Sequence, residues 1–173
     1  DAACMAGFLR TLGVTPAHVA GFSDGGETAL LMAVDHPDVC RSVTAWGAIG
    51  AYPPALGAWV RDAMPRLAVS ASHRAQHPGQ PVETWPEAWI VAFLEIVARG
   101  GDLSLSRAHR IVSPLLLMVG EHDPLNPVES ARTFVRQAGT RAVFELFPEA
   151  GHALHEERPD LFLRHMLAFL ERA

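Results

Sequence analysis

The sequence predicts an α/β fold, a doubly wound and mostly parallel sheet that is interrupted by a helical insertion. Short apolar runs alternate with helical patterns along the 173 residues, which is the order that a parallel sheet with crossover helices requires. The run "SPLLLMVGEHD" is continuously apolar before its charged end, as expected of a strand buried on both faces. Because 49% of the residues are hydrophobic, the chain can bury one substantial core.

The first elements follow from periodicity and from turn residues. Four apolar residues at helical spacing predict the first helix: Met5, Phe8, Leu9 and Leu12. Gly13 is placed to end that helix. The run "HVAGF" (18–22) predicts a short strand that ends at a serine, and a helix from about residue 25 continues until His36 and Pro37. The run "RSVTAWGAI" predicts a second strand.

The middle of the chain, residues 50–112, has a different composition, with prolines, tryptophans and a polar loop. Its segment "TWPEAWIVAFLEIVARGG" predicts a helix. Thr84 and Glu87 have the spacing of a capping box, and Pro86 falls in the first turn. This region is therefore predicted to be a helical insertion in the sheet fold.

The last part of the chain returns to the α/β pattern. The buried strand is followed by a helix over about 128–138, a strand "RAVFELF" and a terminal helix over about 157–172. The predicted organisation is a core made of residues 1–49 and 113–173, with the insertion between them.

Composition excludes several classes of function. The net charge is −5 with no basic stripe, so nucleic acid is not an expected partner. No apolar run approaches the roughly 20 residues of a membrane span. Lysine is absent, which excludes a lysine Schiff base. Cys4 and Cys40 are isolated, which favours a reducing, cytoplasmic location.

The stretch "AGFSDGGETALLMA" (20–33) places Ser23 between the first strand and the following helix. A G-x-S-x-G sequence at such a junction is typical of a nucleophile elbow, in which the serine stands on a strained turn. Gly21 and Gly25 are expected to be small because strand and helix backbones approach closely there. The alternative is an ordinary glycine-rich turn without chemistry.

A serine nucleophile needs a base, and the base needs an acid to orient it. Asp123 follows the buried strand in "MVGEHDPLNP", and His152 lies after the last strand in "LFPEAGHALHEERP". Both are expected at the carboxyl edge of the sheet, where open α/β sheets place their sites. Asp102 and Glu121 are rival acids, but Asp102 lies in a turn before any strand and Glu121 precedes the loop crest.

These motifs resemble the α/β-hydrolase family over the whole chain, and within it the valacyclovir hydrolase group. The segments that carry the resemblance are "GFSDGG" with "ETAL", "WGAIGAY", "GEHDPLNP" and "PEAGHALH". The resemblance implies that Ser23, His152 and Asp123 form a catalytic triad without a cofactor, and that the insertion is a cap. It also implies that the backbone N–H of Asp24 is an oxyanion donor and that its carboxylate binds the α-ammonium of an amino-acid ester.

The family's earlier strands and its other oxyanion loop have no counterpart in this sequence. The chain is therefore interpreted as the carboxyl-terminal part of a hydrolase. An inert fragment or a noncatalytic binding member of the fold remains an alternative. A carboxylesterase or C–C bond hydrolase without amine selectivity is a further alternative. Asp24 could serve only the helix, because a carboxylate in the first turn stabilises a helix through its dipole by about 0.3–1 kcal/mol.

The expected partner is a small-molecule ester, and no metal is expected. His73 and His77 are spaced i, i+4, as zinc ligands on a helix are, but no HExxH glutamate accompanies them. His155 shares a loop with His152 and is expected to hydrogen-bond or to face solvent rather than to act as a second base. The sequence leaves the oligomeric state and the acyl and alcohol groups of the substrate open.

Overall fold

The structure is a computed structural model that describes residues 1–63 and 69–173. The chain forms two compact units, Asp1–Ala51 with Leu103–Ala173, and Tyr52–Asp102. Residues 50–51 and 103–112, which the sequence assigns to the insertion, lie in the first unit. Residues 64–68 of the predicted insertion lie outside the described residues.

The first unit contains a parallel sheet of four strands in the order β1-β2-β3-β4. The strands are β1 (Ala17–Phe22), β2 (Cys40–Trp46), β3 (Leu115–Gly120) and β4 (Ala142–Phe147). The register brings the carboxyl ends of neighbouring strands side by side, with Phe22 opposite Trp46 and Gly120 opposite Phe147. The predicted α/β fold with a parallel sheet is confirmed.

Helices lie before, between and after the strands. They are α1 (Ala2–Leu12), α2 (Asp24–Asp35), α3 (Pro54–Ala63), α4 (Ala71–Gln76), α5 (Trp85–Ala98), α6 (Val128–Ala138), α7 (Leu154–Glu157) and α8 (Pro159–Leu170). Short 3-10 helices span Pro37–Val39, Val82–Thr84 and Leu105–Arg110. Within the described residues, none of the helices is long and apolar enough to cross a membrane.

Strand β3 is the centre of the core, and all six of its residues are buried. Leu115, Leu117 and Val119 pack into the cluster that includes α2 and α6, whereas Leu116 and Met118 pack into a second cluster with α8. Successive side chains of a strand point to opposite faces, so a strand covered on both faces must be apolar throughout. Fully burying each of these leucines stabilises the fold by about 1.5–3 kcal/mol.

One strand ends earlier than predicted, and one short helix was not predicted; both differences have local causes. Strand β2 stops at Trp46 rather than continuing through "GAI", because Gly47 adopts a φ of 60° that leaves the extended conformation. The predicted terminal helix over about 157–172 is α8 (Pro159–Leu170), and the short helix α7 (Leu154–Glu157), which was not predicted, lies before it, with Arg158 between the two. Pro159 starts α8 and has no N–H to continue the hydrogen bonding of α7.

The second unit has its own apolar contacts. Helices α3 and α5 pack together, and the rings of Tyr52 and Phe93 stack with centroids 4.2 Å apart. Pro86 lies in the first turn of α5 as predicted, but the capping box is wrong. The Thr84 hydroxyl donates to the carbonyl of Pro81, so it does not accept from the helix N-terminus.

Candidate active site

Ser23 lies at the junction of β1 and α2 in a strained conformation, with φ 54° and ψ −121°. A positive φ is costly for a residue with a Cβ and persists only where the surroundings enforce it. The Ser23 N–H donates to the carbonyl of Trp46 at the end of β2 (2.9 Å), and its own carbonyl accepts from the N–H of Glu27 (2.9 Å). The turn is thus fastened on both sides of the serine.

Glycines permit this close approach, but only one of the two predicted glycines is needed for space. A Cβ at Gly21 would collide with the carbonyl of Gly25, whereas a Cβ at Gly25 would meet nothing within 4 Å. The second tight position is Gly26, where a Cβ would lie 2.8 Å from the Cβ of Ala48. The prediction for Gly25 is therefore wrong, and Gly26 is the glycine that allows the close approach predicted at Gly25.

Ser23, His152 and Asp123 come from three separate loops, and the structure brings them together. Ser23 Oγ lies 3.1 Å from His152 Nε2, and His152 Nδ1 lies 2.9 Å from Asp123 Oδ2. With its proton on Nδ1, His152 donates to the carboxylate and leaves Nε2 to accept from the serine hydroxyl. This arrangement suits proton transfer from a serine to an imidazole that a carboxylate orients.

The Asp123 carboxylate is enclosed by donors. Oδ1 accepts from the N–H groups of Leu125 (2.8 Å) and Asn126 (3.2 Å), and Oδ2 accepts from the Asn126 side-chain amide (2.9 Å) as well as from His152. Burial acts to raise the pKa of Asp123, but the hydrogen bonds from His152, Asn126 and Leu125 outweigh it and hold the pKa below its usual value. Asp123 is therefore an ionised partner for the histidine at neutral pH.

The rival acids have other surroundings. The Glu121 carboxylate accepts from the backbone N–H of Glu149 at 3.0 Å, which stabilises the turn before the histidine loop. That turn needs support because Glu149 has a φ of 53°. Asp102 is exposed and belongs to the second unit.

The Phe22 ring packs against the imidazole of His152. The centroid of the Phe22 ring lies 4.9 Å from that of His152 and 4.5 Å from that of His155. His155 is half-buried, and its Nδ1 accepts from the indole N–H of Trp46 at 3.1 Å. A Cβ on Gly47 would lie 3.0 Å from His152 Cε1, so the left-handed glycine also makes room for the ring.

Asp24 begins α2 directly after Ser23, and its side chain is exposed. The first residue of a helix directs its N–H outward from the helix end, which is the direction in which an oxyanion is bound. The exposed carboxylate next to Ser23 also gives this side of the serine a negative charge.

Glu27 is a buried acid that the sequence analysis did not single out. Its Oε1 accepts from the N–H groups of Ile49 (2.9 Å) and Gly50 (3.1 Å), and its Oε2 accepts from Gly50 (3.1 Å). Burial, with a smaller contribution from the nearby Asp24, raises the pKa of Glu27 to about 7 against the two backbone hydrogen bonds, which lower it. The sequence does carry a signal that Glu27 is buried: it is spaced three and seven residues from Leu30 and Val34, which are fully buried, so the three share one face of the helix.

His73 and His77, whose i, i+4 spacing the sequence analysis set aside as a metal site, have other contacts. The His73 N–H donates to the Ser70 hydroxyl, and the His77 ring packs edge-on against Trp85 at 4.9 Å. Over residues 1–63 and 69–173, no group of three His, Cys, Asp or Glu side chains is arranged to hold a metal ion.

Comparison with known proteins gives the chain a context. The profile of the family described as "Serine aminopeptidase, S33" matches residues 1–159. The mouse (Mus musculus) protein "Serine hydrolase BPHL" is 28% identical over 182 residues, an alignment that covers 99% of this chain and 60% of the mouse protein. The chain thus spans about 60% of the length of this relative.

Solved structures share the fold at lower identity. The enol-lactonase from Burkholderia xenovorans LB400 matches with a TM-score of 0.67 and 21% identity, covering 98% of this chain and 71% of that one. A meta-cleavage product hydrolase from Pseudomonas fluorescens IP01 matches with a TM-score of 0.72 and 20% identity, covering 97% and 69%. At these identities the likeness extends to the fold.

Proposed function

This chain belongs to the serine aminopeptidase S33 family of α/β-hydrolases, and on that premise we propose that it is a serine hydrolase of small carboxylic esters. The preferred substrates in this proposal are α-amino-acid esters. The observation that carries the proposal is the continuous contact from Ser23 Oγ to His152 Nε2 and from His152 Nδ1 to Asp123 Oδ2, at 3.1 Å and 2.9 Å.

In the proposed reaction, Ser23 Oγ attacks the ester carbonyl carbon while His152 Nε2 takes the hydroxyl proton. The oxygen of the tetrahedral intermediate is held by the backbone N–H of Asp24. His152 then returns the proton to the departing alkoxide, which leaves as the alcohol. Water, deprotonated by the same imidazole, hydrolyses the acyl-enzyme and restores Ser23. Asp123 orients the imidazole and stabilises its charged form, and no cofactor takes part.

The amine preference rests on the position of Asp24. A carboxylate one residue from the nucleophile can pair with an ammonium group on the carbon next to the reacting carbonyl. A hydrogen bond to a charged group is worth about 1.5–3 kcal/mol, which corresponds to a discrimination of roughly 10- to 150-fold. The same exposed carboxylate disfavours anionic esters.

The nucleophile is tested by covalent labelling of the 173-residue chain with a fluorophosphonate, followed by mass mapping of the modified residue. We expect labelling at Ser23 and none in Ser23→Ala, and Asp123→Asn should label slowly. Thermal unfolding of Ser23→Ala is the control for the fold. If the chain is not labelled, or is labelled elsewhere, the proposed mechanism is wrong for this chain.

The amine preference is tested by comparing an aminoacyl ester with the same ester that lacks the amine. Asp24→Asn keeps the side-chain shape and removes the charge, so the ratio of the two kcat/KM values should fall from roughly 10- to 150-fold toward one. Hydrolysis of the des-amino ester should hardly change, because the proposed oxyanion donor is backbone. Equal losses on both esters would instead favour the helix-dipole role of Asp24 and a carboxylesterase without amine selectivity.

A further inference from the structure

The segment that leaves β2, residues 46–50, contacts both the serine turn and the ring of His152. We call it the β2 exit segment. At its start, the Trp46 carbonyl accepts from the N–H of Ser23 (2.9 Å). Gly47 follows, and a Cβ there would lie 3.0 Å from His152 Cε1. A displacement of this short segment therefore changes the position of Ser23 relative to the imidazole.

The far end of the β2 exit segment is held by Glu27. Consecutive N–H groups of Ile49 and Gly50 both point at the Glu27 carboxylate, and Oε1 alone accepts from both. Glu27 is 5% exposed, so these hydrogen bonds are shielded from water. An acid in such a site costs free energy through desolvation, and an apolar residue there would avoid that cost.

Glu27 is also one helical turn after Ser23, and its N–H donates to the Ser23 carbonyl at 2.9 Å. The same residue therefore holds the strained serine through its backbone and the β2 exit segment through its side chain. Between these two attachments the helix and the segment are in contact, because Gly26 lies against Ala48 with no room for a Cβ. The three contacts form a closed loop through Ser23, Glu27 and the β2 exit segment.

We propose that Glu27 is a positioning residue, which fixes the strained Ser23 relative to His152 by tying the first turn of α2 to the β2 exit segment. It does not touch the reacting atoms and acts through Ser23 and Gly47. The catalytic consequence of this inference rests on the proposed function, but the hydrogen bonds by which Glu27 joins Ser23 to the β2 exit segment are a property of the fold.

The test compares three variants of the 173-residue chain. Glu27→Leu removes both acceptor oxygens at similar size. Glu27→Gln keeps one, and one oxygen suffices because Oε1 accepts from both N–H groups. Val34→Ala is the matched control for a general loss of packing. It removes buried apolar volume from the same helix, three helical turns after Ser23.

The first measurement is the rate of fluorophosphonate labelling of Ser23 under conditions in which each variant is folded. We expect Glu27→Leu to be slower by roughly 10- to 100-fold, since a displacement of about 1 Å has effects of that size. Glu27→Gln should recover most of the rate, and Val34→Ala should stay within about twofold of the parent chain. With an ester substrate, the loss should appear in kcat rather than in KM.

The second measurement does not depend on chemistry. Amide hydrogen exchange at Ser23 and Gly47 should accelerate in Glu27→Leu and remain at the parent rate in Val34→Ala. If the parent chain is not labelled at all, the proposed function fails and the exchange rates alone decide the inference. Equal exchange in Glu27→Leu and Val34→Ala, or equal labelling of the two where the parent is labelled, overturns the role of Glu27.

Discussion

Two buried carboxylates in the first unit, Asp123 and Glu27, have opposite electrostatic outcomes. Both accept from two consecutive backbone N–H groups. The pKa of Asp123 lies below its usual value, whereas burial raises the pKa of Glu27 to about 7. Two differences account for this: Glu27 is the more deeply buried of the two, and Asp123 has side-chain donors in His152 and the Asn126 amide, whereas Glu27 has backbone donors and the like charge of Asp24 nearby.

This comparison shows that backbone hydrogen bonds alone do not offset the desolvation of a carboxylate in this fold. At Asp123 the side-chain donors, acting against a weaker desolvation, turn the pKa shift downward. It also separates two uses of a buried acid. Asp123 supplies charge to a partner, and Glu27 supplies hydrogen-bond acceptors to a backbone segment.

The largest expected effect comes from removing the charge of Asp123. Asp123→Asn should lower kcat by about 10⁴-fold, because an amide favours the wrong tautomer of His152 and cannot stabilise the imidazolium. Ester hydrolysis at pH 7 measures this loss. Glu121→Gln and Asp102→Asn are the controls. A larger loss in either of them, at unchanged stability, would assign the acid to that residue and remove the first half of the comparison.

The second effect is the cost of ionising Glu27. Because its pKa is raised from 4.5 to about 7 in the folded chain, its contribution to stability is fully present below pH 4.5 and is lost as the pH rises through about 7. The loss amounts to about 3 kcal/mol. Glu27→Gln removes this titration and leaves Asp24 and Asp123 in place.

Urea unfolding at pH 5 and pH 8 measures this difference for both chains. Between pH 5 and pH 8 the free energy of unfolding of the parent should fall by about 2.5 kcal/mol more than that of Glu27→Gln, because part of the effect is already lost at pH 5. If both chains respond equally to pH, Glu27 does not titrate in this interval and the contrast with Asp123 is lost.

The smallest expected effect comes from Asn126, whose side-chain amide distinguishes the two sites. Asn126→Leu removes one donor to Asp123 Oδ2 at similar volume, so the pKa of Asp123 should move up toward its usual value. A hydrogen bond to a charged group contributes about 1.5–3 kcal/mol, and the free energy of unfolding at pH 7 should fall by that amount.

The sign of the pH dependence provides the control for this variant. A depressed carboxylate pKa stabilises the fold above the ordinary aspartate range, and this stability is lost as the pH falls. The deficit of Asn126→Leu should therefore shrink when unfolding is measured near pH 3 instead of pH 7. A deficit that is equal at both pH values would indicate a packing defect rather than a lost donor to the carboxylate.

Local patterns predicted the sheet and the residues that meet at its carboxyl edge. Ser23, Asp123 and His152 each follow a strand, and parallel strands bring their carboxyl ends together, so their proximity could be inferred from order alone. Their catalytic roles stay a prediction. Helix α6 was also predictable, because its apolar spacing and its flanking Pro127 and Gly139 are local signals.

Contacts between distant segments could not be predicted in this way. Glu27 binds residues 22 and 23 positions away, and nothing in "ETALL" indicates which backbone N–H groups a buried acid will meet. The choice between Gly25 and Gly26 as the tight position likewise depends on Ala48, which packs there from the β2 exit segment. The Thr84 hydroxyl could hydrogen-bond either to the carbonyl of Pro81 or to an N–H at the start of α5, and in the structure it donates to the Pro81 carbonyl.

The peptide of Gly50 has a consequence for the way this fold can change. Its N–H binds Glu27, and its carbonyl accepts from the N–H groups of Leu103, Ser104 and Leu105 at 2.9–3.1 Å, so the chain departs and returns at one point. Closing a loop between two points that lie side by side costs only about 0.6 kcal/mol more for each doubling of the loop's length. Ala51 and Leu103 are thus natural graft points, where a loop of a few residues or an unrelated module would join β2 to β3 without shifting either strand.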